Sequence, residues 1–232
     1  KNFRLNGNLI ETRHLMRHPD GVWAGYTYQW NAQQTEATRV QGGTVDNIGG
    51  QDWIFPSEGQ CMECHTSAAG FALGPEIAQL DLDFTYPATG RTGNQVATMD
   101  AVNYFSATPP SGIAPLVDPT DAGAPLNDRA RAYLHTNCAQ CHRPGGPTPS
   151  DMDLRYTTPL NSTNACNAPP RQGRLGNPSA LLIAPGAPEN SLVIERATRR
   201  DVHGMPPLGS SVVDTGGIAL LTNWINDLSS CN

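Results

Sequence analysis

The sequence predicts a mainly α-helical chain with much loop, preceded by a small β-hairpin segment. Three observations carry this expectation. The pentapeptides Cys61-Met62-Glu63-Cys64-His65 and Cys138-Ala139-Gln140-Cys141-His142 each fall in or at the end of a helical stretch. Among 232 residues there are 23 Gly and 20 Pro, which assigns much of the backbone to turns and loops. Residues 10–30 alternate with the period of a strand, unlike the rest of the chain.

Ile10, Thr12, His14, Met16 and His18 share one face of the first alternating run, and Glu11, Arg13, Leu15 and Arg17 share the other. Pro19-Asp20-Gly21 is a turn signal, after which Val22, Ala24, Tyr26, Tyr28 and Trp30 alternate again. The pattern predicts a hairpin with an aromatic-rich second strand. Gly42-Gly43 and Gly49-Gly50 mark a loop behind it. Trp53-Ile54-Phe55-Pro56-Ser57 leads into the first Cys pair, with Ser57 placed to cap a short helix that carries Cys61 to His65. Asn94 to Phe105 fits an amphipathic helix with Val96, Met99, Val102 and Phe105 on one stripe. Residues 107–125 form a Pro-rich linker.

In the second half, Asp128 to Asn137 predicts a helix running into Cys138, with Ala130, Tyr133 and Leu134 facing inward. Residues 143–188 are mostly loop. Glu189 to Arg199 predicts a helix, Met205-Pro206-Pro207 lies in the loop that follows, and Gly216 to Leu228 closes as a helix burying Ile218, Leu221, Trp224 and Ile225. The expected organisation is a lead segment at 1–50 packing on a first unit at 51–125, then a second unit at 126–232.

The two pentapeptides are C-x-x-C-H, the attachment pattern for c-type haem. Two sulfurs three residues apart on a helical turn point the same way and can each form a thioether to a vinyl group. The following His can reach the iron as proximal ligand. A lone C-x-x-C also serves zinc knuckles and redox dithiols, but a His directly after both copies favours haem. Two covalent haem c groups are therefore expected, on Cys61, Cys64 and His65 and on Cys138, Cys141 and His142. The 38% hydrophobic content suits this, since a porphyrin supplies apolar core of its own.

Four of the six Cys are thereby assigned, and Cys166 and Cys231 become a candidate disulfide. Thioethers and a disulfide both point outside the cytoplasm, to the periplasm or the cell surface of a bacterium. The chain opens with Lys1, shows no signal peptide and reads as a mature or trimmed product. No stretch approaches a transmembrane span. The formal charge of −6 argues for a basic or neutral protein partner, and against nucleic acid.

The second unit resembles a class I cytochrome c domain, with its leading helix, C-x-x-C-H, long loop, Met-Pro-Pro loop and closing helix. That resemblance implies His142 and Met205 as the axial pair. A soft neutral thioether presented by a proline-stiffened loop agrees with this. Met152, which Asp151 and Asp153 assign to a short surface turn, and His203 are rival ligands. The wider chain resembles bacterial dihaem c-type cytochromes that combine Glu11-Thr12-Arg13, Tyr28-Gln29-Trp30-Asn31 and Trp53-Ile54-Phe55-Pro56-Ser57 with C-x-x-C-H. Two cytochrome c-like haem domains are the fold this implies. The first unit departs from the pattern, because no Met or His lies between Gly70 and the helix from Asn94. The sixth ligand of its iron is sought on the hairpin, at His18 first, with His14 and Met99 as alternatives beside proximal His65.

The expected function is single-electron transport between redox partner proteins, with no catalytic residues beyond the ligands. A dihaem peroxidase, with Glu63 or Glu76 as acid or base, is one alternative. A cytochrome subunit docked on a larger dehydrogenase, respiratory or photosynthetic complex is another.

Overall fold

A computed structural model describes all 232 residues. The chain opens with a four-stranded antiparallel sheet in the order β1 (Asn2–Leu5), β2 (Asn8–Arg17), β3 (Trp23–Trp30) and β4 (Ala37–Val40). Alternation builds β2 and β3, which pair from Glu11↔Gln29 to Arg17↔Trp23. Asn6 and Gly7, both at positive φ, make the tight turn between β1 and β2. Asp20 Oδ1 accepts the Val22 N–H at 2.9 Å in the turn between β2 and β3. A second hairpin follows, of β5 (Thr44–Ile48) and β6 (Gln51–Phe55). Its two-residue turn is Gly49-Gly50, also at positive φ, in place of the expected loop.

The fold is mixed α/β, with 25% helix and 21% strand. This overturns the expectation of a mainly α chain made of two cytochrome c-like domains. The physical reason lies in the first half. Six strands occupy residues 2–55, and the helices that follow are short: α1 (Glu58–Cys64), α2 (Ile77–Leu80) and α3 (Gln95–Ala101). A third hairpin, β7 (Asp83–Tyr86) with β8 (Arg91–Asn94), fills the span between α2 and α3. Ile10, Trp53 and Phe55 form the small apolar centre of this half, joined by Phe3, Leu5, Val40 and Ile48.

The second half packs α4 (Leu126–Cys138), α5 (Leu192–Ala197) and α6 (Thr215–Asp227) around the larger core. Ala130, Leu134, Leu154, Ile183, Leu221, Trp224 and Ile225 are buried there. Helices α4 and α6 approach so closely that a Cβ on Gly217 would stand 2.1 Å from the Tyr133 hydroxyl oxygen. The long loop between α4 and α5 is tied to the core by polar bonds. Asp153 accepts from the Arg155 and Thr158 side chains, and the Leu154 N–H donates to the His142 carbonyl at 2.9 Å. Cys166 and Cys231 are joined as a disulfide, with Cα atoms 5.8 Å apart. No helix is long and apolar enough to cross a membrane.

Candidate cofactor site at the paired Cys-x-x-Cys-His motifs

Ser57 starts α1 with a reciprocal capping box. Its hydroxyl accepts the Gln60 N–H at 3.2 Å, and the Gln60 side chain accepts the Ser57 N–H at 2.9 Å. The helix holds Cys61 and Cys64 one turn apart and ends at His65, whose N–H donates to the Cys61 carbonyl at 3.1 Å. The His65 imidazole is oriented by the chain beyond it. Its Nδ1–H donates to the Phe71 carbonyl at 2.6 Å, so in the neutral ring Nε2 keeps the free lone pair. Phe71 is itself stacked on Trp23 of β3, with ring centroids 5.8 Å apart. Burial pushes the His65 pKa below the ordinary imidazole value, against a smaller opposing effect of the Phe71 carbonyl.

The second motif grows from the end of α4. The Cys141 and His142 N–H groups both donate to the Cys138 carbonyl, at 3.1 and 2.9 Å, and the turn brings the motif round to the core. His142 Nδ1 is buried without a hydrogen-bond partner, and burial also lowers the pKa of this ring. Burial raises the Cys138 thiol to about 12.

The two motifs, far apart in sequence, meet. Arg143 Nη1 donates to the Ala68 carbonyl at 3.4 Å and Gln79 Nε2 donates to Thr136 Oγ1 at 3.3 Å. The Cys64 and Cys141 thiols are near enough to shift one another, Cys64 upward and Cys141 down to about 7. The Tyr156 N–H donates to His135 Nδ1 at 3.1 Å, so His135 Nε2 carries the proton that it donates to Glu76 at 3.1 Å. That bond is the largest cause of the lowered Glu76 pKa. No three His, Cys, Asp or Glu side chains converge as a metal cage. The two motifs therefore do not combine into a closed zinc site of the kind a C-x-x-C pair could serve.

The other predicted residues are placed as follows. Trp23 and Gly25 lie on the sheet face that receives the first motif: Trp23 stacks on Phe71, and Gly25 abuts Cys61. Their cross-strand partners Arg17 and Leu15 share that face, so His14 and His18 lie on the opposite one. There His18 Nε2 is hydrogen-bonded to the Tyr26 hydroxyl at 2.7 Å, and His14 packs edge-on to Tyr28. The sheet stands between these rings and the first motif. Met99 sits in α3, among the small elements of the first half. Met205 is half-buried in the loop after α5, its N–H donating to the Arg196 carbonyl at 2.9 Å. His203 and Glu63 are exposed, and Met152 packs against the larger core rather than in a surface turn, beside a buried Asp153.

No protein-family model, curated protein or solved structure matches this chain. The donor set itself fits covalently bound haem. It supplies two Cys pairs one turn apart and two neutral imidazoles, one with its coordinating nitrogen set by a backbone carbonyl. At His142 it is Nδ1 that is buried without a partner, so no backbone carbonyl sets the coordinating nitrogen of that ring. Trp23, Phe71 and Gly25 were missed as site residues. The available signal was a Gly within an otherwise aromatic strand.

Proposed function

We propose that the chain is a dihaem c-type cytochrome that carries single electrons between redox partner proteins outside the cytoplasm of a bacterium. One observation supports this above the rest: the fold brings two C-x-x-C-H motifs side by side, with Arg143, next to His142, donating to the Ala68 carbonyl and His135 on α4 donating to Glu76. Bound there, each haem would supply one Fe(III)/Fe(II) couple. Cys61 and Cys64 would hold the first and Cys138 and Cys141 the second, with His65 and His142 as proximal ligands and Met205 as the sixth ligand of the second. The Phe71 carbonyl orients His65 and raises its basicity as a ligand. Adjacent attachment points suit passage of an electron between the two groups before it leaves for a partner. The net charge of −6 favours a basic or neutral docking surface on that partner.

Intact mass after acid–acetone extraction, with a pyridine haemochrome spectrum, tests the reading. Two retained haems per chain support it. One haem, or none, rejects it. The separation of His14 and His18 from the first motif favours one second reading, a peroxide-reducing enzyme with an open first iron. Rapid cyanide binding at one haem together with peroxide turnover would support that reading in place of the carrier.

A further inference from the structure

Three residues of the N-terminal motifs have no part in haem attachment, yet the structure links them in a chain. Glu11 is fully buried. Its carboxylate accepts from Trp53 Nε1 at 3.0 Å and from Arg13 Nε and Nη2 at 2.5 and 2.8 Å. This grip fixes the guanidinium and leaves Nη1 directed away, where it donates to the Gly209 carbonyl at 3.3 Å. Gly209 has φ +74°, and a Cβ there would stand 3.1 Å from Arg13 Nη1. Strand β6 holds the same loop two residues on. Ser211 Oγ accepts the Ile54 N–H at 3.0 Å, and the Ser211 carbonyl accepts from Gln51 Nε2 at 3.0 Å. At the other end of the loop, Arg196 accepts from the Met205 N–H and donates through Nη1 to the His203 carbonyl at 3.0 Å. Met205 thus lies between an anchor on α5 and an anchor on the N-terminal sheet.

We infer that Arg13 is a positioning residue for the Met205 loop, so that the sheet of the first half sets the sixth ligand of the second haem. Its role as an anchor stands on the contacts alone; its role in ligation rests on the function proposed above. The assignment explains why a buried carboxylate is kept beside an Arg. A fork bonded through two nitrogens has one orientation, and its third nitrogen has one target.

The test uses the full chain and two variants, Arg13→Lys and Ser211→Ala. Lysine keeps a cation beside Glu11 but has no fork to reach Gly209, and Ser211→Ala removes the hydroxyl that accepts the Ile54 N–H while leaving Glu11 and the Gln51 bond to the Ser211 carbonyl in place. Hydrogen–deuterium exchange should be roughly tenfold faster over residues 205–212 in each variant, with α6 unchanged, as expected for the loss of a bond to a charged or backbone donor. Unchanged exchange in both variants overturns the inference. In the haem-loaded protein, the sulfur–iron charge-transfer band should weaken in both variants and vanish at lower urea concentration than in the wild type. A band as persistent as wild type in both overturns the link to ligation. If the loop loosens but the wild-type protein never shows the band, the ligand reading fails while the anchoring role of Arg13 stands.

Discussion

A Cβ placed on Gly25 would stand 2.4 Å from the Cys61 Cβ and 2.6 Å from its sulfur. Strand β3 and helix α1 therefore meet through a missing side chain. Gly25→Ala should push the helix off the sheet, at a cost of about 1–3 kcal/mol for overpacking. The fraction of chains with haem at the first motif should fall while the second stays filled. Gly59→Ala, on the same helix with nothing within 4 Å, is the control and should leave loading unchanged. Mass spectrometry and thermal denaturation check both, and a fully loaded, equally stable Gly25→Ala protein would sink the argument.

The ligands should separate cleanly by mutation. Met205→Ala should abolish the sulfur–iron band of the oxidised spectrum. His14→Ala and His18→Ala should leave the first haem's spectrum unchanged, because both rings lie across the sheet from Cys61. A thioether favours Fe(II) more than an imidazole or water oxygen does, so the second haem should titrate at the higher potential. A redox titration in which Met205→His lowers the potential of the other haem would reject the assignment.

The Cys166–Cys231 bond closes a sequence separation of 65 residues. In the chain-entropy account such a loop is worth about 4 kcal/mol. Cys231→Ser should lower the urea midpoint accordingly, with both haems retained. Thiol labelling of unfolded, unreduced wild-type protein should detect no free thiol from this pair, and two reactive thiols would refute it.

Acid should act through Asp153. Its hydrogen bonds from Arg155, joined by one from Thr158, hold the carboxyl at about 2, well below the usual carboxylate range. A depressed folded-state value means that its contribution to stability is present above the ordinary carboxylate pKa. That contribution is lost as the pH falls towards about 2. Asp153→Asn should cost about 1–3 kcal/mol at neutral pH and flatten the stability curve in that acid window. A variant whose acid transition matches wild type would show that other carboxylates govern it.

The readable parts of the fold were those with a strong local period. Period-2 alternation around Pro19-Asp20-Gly21 gave the β2–β3 hairpin, and the apolar stripe ending in Trp224 and Ile225 gave α6. Helix α4 follows the expected span to within two residues at its start. The short strands were not readable. β1 and β4 have four residues each and lie at the sheet edges, and the exposed β7 and β8 carry little apolar pattern. The fold class failed for a related reason. The two C-x-x-C-H motifs pointed to helices, yet the first stands on a helix of seven residues, and the sheet supplies the wall behind it. Alternation sorted His14 and His18 to one face correctly but carried no information on which face the motif would meet. That depended on Gly25, whose meaning appears only once Cys61 is set against it.

The seam between the two halves also bears on the order in which the chain can close. His135 on α4 donates to Glu76, and Arg143 donates to the Ala68 carbonyl, so bonds from one half reach the other beside both Cys pairs. None of these bonds joins neighbours in sequence, and the seam is complete only when both halves are in place.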